Sequence, residues 1–345
     1  MKTVTVDASK AYDVLIGENL LLEAGKIVKE RFGLFRVCII TDDIVDGHYG
    51  EKCVRSFVDA GFSVEKIVIK NGEESKNCEN LINIVNTLAQ MQFTRNDVLI
   101  ALGGGVVGDL CGFCAATYMR GIRFIQIPTT LLAAVDSSVG GKTAVDLPAG
   151  KNLFGAFWQP SIVICDTKTL DTLSDEIYSC GMAEVIKYAF IKDAELLERL
   201  EKDSISREEM IERCVCIKRD IVAEDEFETG LRQILNFGHT IGHAVEALSN
   251  FELSHGQCVA IGMKIVTKGI SAPEKTVERL ENILNKFSLS TKCDFDTESL
   301  LDKISRDKKR VSDGVNVICV KEIGEAQILK LDFDSIRRLI DLGVK

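Results

Sequence analysis

The window LNFGHTIGHAVE, residues 235–246, contains two of the chain's four histidines, His239 and His243, and His255 follows twelve residues after the second. Imidazole is the commonest metal ligand and the side chain that ordinarily titrates near neutral pH, so this concentration of a scarce residue points to metal binding or proton transfer. On a helix over 230–249, at about 100° per residue, Leu231, Ile234, Leu235, Gly238, Ile241, Val245 and Leu248 form one broad apolar face. Arg232, Asn236, His239 and His243, spaced 4, 3 and 4 apart, fall in a narrow stripe elsewhere. A face turned only to solvent normally carries Glu and Lys, so this stripe reads as functional. Two histidines at i and i+4 can reach one ion from adjacent turns. Thr240 stands where a helical H-E-x-x-H pattern needs its glutamate, which favours a metal and disfavours a metalloprotease. By spacing, His239 and His243 are candidate ligands with His255 as third ligand or catalyst, and their roles stay open.

A second chemical signal is GGGVVG, residues 103–108, which fits G-x-G-x-x-G directly after the run VLIAL and before an apolar helix. Glycines there let backbone approach a phosphate, and the helix N-terminus supplies free N–H groups and partial positive charge. The acid expected at the end of the following strand is missing, because IRFIQI runs into Pro128, Thr129 and Thr130. Asp42, at the end of the earlier run VCIIT, is the candidate for ribose hydroxyls instead. VGGKT at 139–143 resembles a Walker A loop, but its first glycine would fall on Asp136, and that reading fails. Lys142, with Lys151 and Asn152 in AGKNLFG, remains as a set of candidate anion ligands. Lys218 interrupts an apolar face traced by positions 211, 214, 215, 221 and 222, and either snorkels to the edge or is held inward to meet an anion.

These groups need a scaffold. From residue 37 to 165 short β-branched runs alternate with amphipathic stretches, which predicts an α/β domain with a Rossmann-like parallel sheet covered on both faces. After Asp166 long amphipathic segments at 174–202, 207–223, 230–249 and 256–270 predict a mainly α-helical domain, with VNVICV and QILKL as a hairpin. The boundary therefore falls near 165, giving domains of 1–165 and 166–345. The 345 residues carry 52 acidic and 42 basic side chains, a net charge of −10, so neither nucleic acid nor a membrane surface is an expected partner and any anion site must be local. The N-terminus lacks the apolar core of a secretory signal, and a cytoplasmic location is expected. The twelve cysteines are scattered and read as thiols in a reducing compartment. Cys111 and Cys114, although spaced as CGFC, sit in an apolar run and read as packing.

With these residues in hand, the chain resembles the 3-dehydroquinate synthases, of the sugar phosphate cyclase superfamily, over nearly its whole length. The matching segments are GGGVVGD, MRGIRFIQIPTTLLAAVDSSVGGKTAVD, GKNLFGAFWQP, GMAEVIKYAFI and LNFGHTIGHAVE with HGQCVAIGM. The resemblance implies an NAD-binding N-terminal domain and a C-terminal domain holding one divalent metal, zinc or alternatively cobalt. It makes Glu184, His239 and His255 the metal ligands, and so moves His243 from ligand to substrate-side residue. For NAD it implies Asp42, Glu73, Lys76, Gly104, Gly105, Val106, Val107, Gly108, Asp109, Thr129, Thr130, Lys142, Lys151, Thr169, Leu170, Asp171 and Thr172. Around the substrate it implies Lys142, Asn152, Lys187, Lys218, Arg232 and Asn236 with Asp136 alongside, and a further lysine at Lys308 or Lys309. Arg120 matches an arginine that reaches a neighbouring subunit, which implies a homodimer.

The implied substrate, 3-deoxy-D-arabino-heptulosonate 7-phosphate, carries a phosphate and a carboxylate, which would explain cations gathered in an acidic protein. The implied reaction is transient oxidation by NAD, phosphate loss, return of the hydride, ring opening and aldol closure to 3-dehydroquinate, in the shikimate pathway of aromatic amino acid biosynthesis. Three other readings compete. A glucose 6-phosphate cyclase is disfavoured by Arg232 and Asn236, a metal-dependent polyol dehydrogenase by the dense set of lysines, and a retired binding protein by the intact charged set.

Overall fold

Runs such as residues 37–40 and 98–102 are apolar without interruption, the pattern of strands buried on both faces. The computed structural model describes residues 1–250, 252–308 and 314–344, leaving aside the side chains of 306–308. Its strands are β1 (Lys2–Val6), β2 (Tyr12–Gly17), β3 (Arg36–Asp42), β4 (Ser63–Ile69), β5 (Val98–Gly103), β6 (Arg123–Pro128), β7 (Lys142–Leu147), β8 (Gly150–Phe157) and β9 (Ile162–Asp166), followed by β10 (Val315–Glu322) and β11 (Glu325–Leu331). Seven of them form one sheet in the order β1-β2-β9-β6-β5-β3-β4, parallel throughout except for β1 against β2. The pairs β7–β8 and β10–β11 are separate antiparallel hairpins, the second as the sequence predicts.

By contact the chain divides into one unit of Met1–Ser174 with Arg207–Phe227 and another of Asp175–Ser206 with Glu228–Lys345. In the first, α1 (Leu20–Phe32) and α3 (Glu51–Asp59) cover one face of the sheet, and α4 (Cys78–Gln90) and α5 (Gly105–Thr117) the other, with a single short turn α2 (Asp43–Val45) after β3. The alternation of a strand divides its side chains accordingly. Val37 and Ile39 join the core containing Val28 and Phe57, and Cys38 and Ile40 join the core containing Leu88 and Leu110. Helix α8 (Arg207–Glu224) also belongs to this unit and packs on β1.

The second unit is built around α10 (His255–Gly269), most of whose residues are buried. Around it stand α6 (Asp175–Lys192), α9 (His239–Leu248), α11 (Glu274–Lys286) and α13 (Phe333–Val344), while α7 (Ala194–Glu201) follows α6 and α12 (Thr297–Lys308) packs on α9. One expectation is corrected here. The helix expected over 230–249 is broken into a 3-10 segment, Leu231–Asn236, and α9, with Phe237 extended and Gly238 left-handed at φ 81°. Gly238 lies against α10, where a Cβ would come within 2.7 Å of the Val259 carbonyl oxygen, so this close passage requires a residue without a side chain. Arg232 and Asn236 consequently do not share a helical stripe with His239 and His243. Among the described residues no helix is long and apolar enough to cross a membrane.

Candidate active site

Helix α6 carries the apolar run GMAEVIKYAFI, and residues 181–191 are all buried, including Glu184 at 1% exposure and Lys187. The Lys187 ammonium contacts Glu184 Oε2 from the next turn, and His239 Nε2 and His255 Nε2 lie 3.4 Å and 3.5 Å from Glu184 Oε1. Both carboxylate oxygens are buried, and neither makes a hydrogen bond of regular geometry. Burial alone would raise the Glu184 carboxyl, but Lys187 and then His239 pull it well below the ordinary carboxylate range. The carboxylate therefore stays ionised inside an apolar helix.

The donor set fits a divalent metal. Metal–ligand bonds of about 2.1 Å at the tetrahedral angle set neighbouring donor atoms about 3.4 Å apart, which matches both imidazole separations from Oε1 and exceeds an ordinary hydrogen bond. One oxygen and two nitrogens from Glu184, His239 and His255 all lie within 4.8 Å of one another. His243, which spacing offered as a ligand, belongs instead to a second group with Glu246 and His255, and is exposed. Burial lowers the His255 pKa, but the Glu184 and Glu246 carboxylates beside it outweigh that and carry the group to about 9.

Gly256 makes the approach of α10 to α6 possible. A Cβ there would meet the Cys180 Cα at 2.5 Å and its carbonyl oxygen at 2.6 Å. The contact brings the neighbouring His255 over Glu184. The other expected residues of this unit lie close by in sequence: Arg232 is buried on the 3-10 segment, and Asn236 donates to Glu228 Oε1 at 2.8 Å.

In the first unit the chain runs from β3 outward to β4 and then back to β5 on the other side of β3, so the order reverses between β3 and β5. Ligands of such sheets bind at the strand ends beside this reversal. There the glycine loop passes from β5 into α5, whose N-cap Gly104 leaves the helix without a side-chain cap. Thr129 is almost fully buried with no hydrogen-bond partner for its hydroxyl, and Thr130 Oγ1 accepts the Ala133 N–H. An open helix N-terminus beside an orphaned hydroxyl suits a nucleotide phosphate. Val107, by contrast, points into the core, so only its backbone can serve a ligand.

Lys76 is buried with its ammonium 2.7 Å from Asp109 and 3.7 Å from Glu73, and Lys151 lies 3.9 Å from the same Glu73 oxygen. Burial lowers the Lys76 pKa, but Asp109 and Glu73 raise it more, so the lysine keeps its charge. Asp42 Oδ1 caps α2, and Thr169 to Thr172 form a 3-10 turn in which Tyr49 bonds the Thr169 carbonyl and the Thr172 hydroxyl. Leu170 is buried, and Asp171 is exposed and paired with Arg207.

Lys218 is held inward: its ammonium donates to the Asp136 carbonyl at 2.7 Å and to Asp136 Oδ1 at 2.8 Å. Lys142 opens β7 and is exposed. Asn152 has left-handed backbone, φ 57°, with its N–H bound to Asp146 Oδ1 at 2.7 Å. Arg120 is also left-handed, φ 65°, and exposed. Lys308 and Lys309, the two alternatives for the further lysine, fall outside the described side chains. Sequence reasoning missed Glu246 and Asp146 altogether. Nothing local marked Glu246, an acid among the apolar residues of the same window.

Comparison with known proteins adds a family. Residues 66–180 match the 3-dehydroquinate synthase N-terminal domain and 181–310 the 3-dehydroquinate synthase C-terminal domain. A 3-dehydroquinate synthase of Clostridium acetobutylicum is 44% identical over 346 residues, covering 96% of this chain and 97% of that one. Among solved structures, a 2-deoxy-scyllo-inosose synthase in complex with carbaglucose-6-phosphate, NAD+ and Co2+ superposes with a TM-score of 0.88 at 27% identity, covering 99% of this chain and 100% of its own. A 2-epi-5-epi-valiolone synthase of Streptomyces hygroscopicus, with NAD+ and Zn2+ bound, gives 0.88 at 25% identity and covers 98% of both chains.

The Gly256 contact yields a first prediction. Gly256→Ala is expected to push α10 off α6 and lower zinc affinity by roughly tenfold or more while helical content is kept. Competition with a chromophoric chelator, alongside circular dichroism, measures both.

Proposed function

Because this chain belongs to the 3-dehydroquinate synthase family, we propose that the groups described above divide the work of one reaction between them, the conversion of 3-deoxy-D-arabino-heptulosonate 7-phosphate to 3-dehydroquinate and phosphate. The enzyme is a carbon–oxygen lyase, and its cofactors are NAD and a divalent metal, zinc or cobalt. The unit containing the seven-stranded sheet is the NAD-binding one, and the helical unit holds the metal. Glu184, His239 and His255 would hold the metal, which would supply Lewis-acid polarisation of a substrate hydroxyl, and bound NAD would supply a hydride acceptor that later gives the hydride back. The observation that carries the reading is the buried, ionised Glu184 with two imidazole nitrogens on one of its oxygens.

Each residue type has a task. Glu184, His239 and His255 supply three donors and leave coordination for substrate oxygens, as a catalytic site requires. Gly104 to Asp109 offer backbone N–H groups to the dinucleotide phosphates, and Thr129, Thr130, Lys151 and the Lys76–Glu73 pair complete the cofactor contacts. Asp42 and the turn from Thr169 to Thr172 take the remainder. Lys142, Asn152 and Lys218 are suited to the substrate's anionic groups, with Asp136 aiming the Lys218 ammonium. Lys187, Arg232 and Asn236 are suited to the same task. Arg232 is suited to the carboxylate, since guanidinium binds it through two parallel hydrogen bonds. His243, exposed beside His255, contacts phosphate and handles the proton lost when phosphate leaves.

We further propose a homodimer in the cytoplasm. Support comes from exposed apolar side chains on β8, Leu153, Phe154 and Phe157, and from Arg120 standing exposed in a strained backbone. All twelve cysteines are free, which suits a reducing compartment.

With NAD and zinc present, phosphate release from the heptulosonate phosphate without standing NADH absorbance is expected. Release from glucose 6-phosphate alone would select an inosose-type cyclase, and accumulating NADH a dehydrogenase. Among variants, Glu184→Ala and His239→Ala should lose bound zinc while His243→Ala keeps it and loses turnover, and metal analysis after dialysis separates them. For the dimer, light scattering should report twice 38.0 kDa. Mixing inactive Arg120→Ala with inactive Lys218→Ala should restore part of the activity, because one mixed site regains both residues.

A further inference from the structure

His239 and His255 present the same ring nitrogen, Nε2, to Glu184 Oε1. The opposite nitrogen of each ring also faces an oxygen. His239 Nδ1 lies 3.1 Å from the Phe237 carbonyl, which can only accept, so Nδ1 carries the proton and Nε2 keeps its lone pair. Behind His255 the oxygen belongs to Glu246: its Oε2 lies 3.7 Å from Nδ1, and its side chain is 9% exposed.

We propose that Glu246 is a positioning residue for the metal centre, one that takes the Nδ1–H of His255, fixes the ring's tautomer and plane, and strengthens Nε2 as a donor. This rests on the assignment of Glu184, His239 and His255 as ligands.

Three observations carry it. The first is burial, since a carboxylate so covered is stable only opposite a donor or a cation, and His255 Nδ1 stands within ion-pair distance. The second is placement. Helix α9 carries His239 at its first position and Glu246 two turns later, so one helix supplies a ligand and also the support of the other ligand. The third is the freedom of His255. Its backbone is locked by the Ser254–Gln257 capping box, but its side chain is 32% exposed, far more than that of Glu184 or His239. A ring that open needs something behind it to hold one orientation. The separation of 3.7 Å is longer than a closed hydrogen bond, and the last torsion of a glutamate is the broad, soft one through which such a gap closes.

The rival use of the same atoms is a second cation held by His243, Glu246 and His255, whose ligating atoms also lie within 4.8 Å of one another. With Nε2 turned to Glu184, that use would take the Nδ1 lone pair of His255, which an Nδ1–H does not offer.

The test measures zinc binding to the full-length protein by chelator competition, with zinc alone, and reads the His255 tautomer by nitrogen-15 NMR of the zinc-loaded form. Wild type should bind one equivalent with Nδ1 protonated. Glu246→Ala should lose affinity by roughly 10- to 100-fold and show mixed tautomers, while Glu246→Gln, which keeps an acceptor oxygen, should recover part of both. Wild-type affinity in Glu246→Ala overturns the proposal, and so does a second zinc equivalent that this substitution removes. Should Glu246→Ala fail to fold, an unchanged tautomer and affinity in Glu246→Gln and Glu246→Asp alike overturn it. Glu184→Ala serves as the separate control: if it retains zinc, the ligand assignment itself fails, whatever Glu246 does.

Discussion

Keeping a carboxylate ionised inside an apolar helix is the constraint around which the second unit is arranged. An unpaired charge moved from water into a protein interior costs several kcal/mol, so Glu184 cannot sit among Met182, Val185 and Ile186 without positive charge at hand. Lys187 supplies it one turn along the same helix, and two imidazoles face the carboxylate from α9 and α10. Both must come close, and the close passages are made at glycines: Gly238 where the chain crosses α10, and Gly256 where α10 meets α6. The backbone contacts and the charge balance are thus one design, because relaxing the first would strand the second.

The first unit solves a different electrostatic problem. A chain of net charge −10 must hold a cofactor and a substrate that are themselves anionic. Its resources are an uncapped helix N-terminus and lysines set beside acids: Lys76, kept charged by Asp109 and Glu73, and Lys218, paired with Asp136. The acids beside Lys76 offset desolvation that would otherwise favour the neutral amine.

Much of this was legible beforehand, and the exceptions have physical causes. The parallel strands, the glycine loop and the late hairpin announce themselves through local periodicity, which needs no knowledge of distant residues. The hairpin β7–β8 and the antiparallel β1 carry no such repeat and went unread. The helix over 230–249 failed because its apolar spacing survives a break: a 3-10 turn followed by a left-handed glycine can still bury Ile234, Leu235 and Ile241. Glu184 was reached through family resemblance alone, since an acid in an apolar run gives no clue to the imidazoles it will meet from two other helices. Glu246 was invisible for the same reason. Lys218 shows the converse, an oddity plain in the sequence whose meaning depended on Asp136, 82 residues away.

The sulfur atoms have a consequence for metal choice. Twelve thiols give this chain many soft donors, yet the candidate centre is built from one oxygen and two nitrogens. Burial pushes Cys38, Cys53 and Cys165 up to about 12 and Cys111 and Cys114 higher still, so at neutral pH they remain protonated and shielded. Thiolate is what captures copper(I) and other soft ions. By burying most of its sulfur, the fold withdraws donors that would draw such ions in, and the oxygen and nitrogen donors of Glu184, His239 and His255 suit a borderline ion.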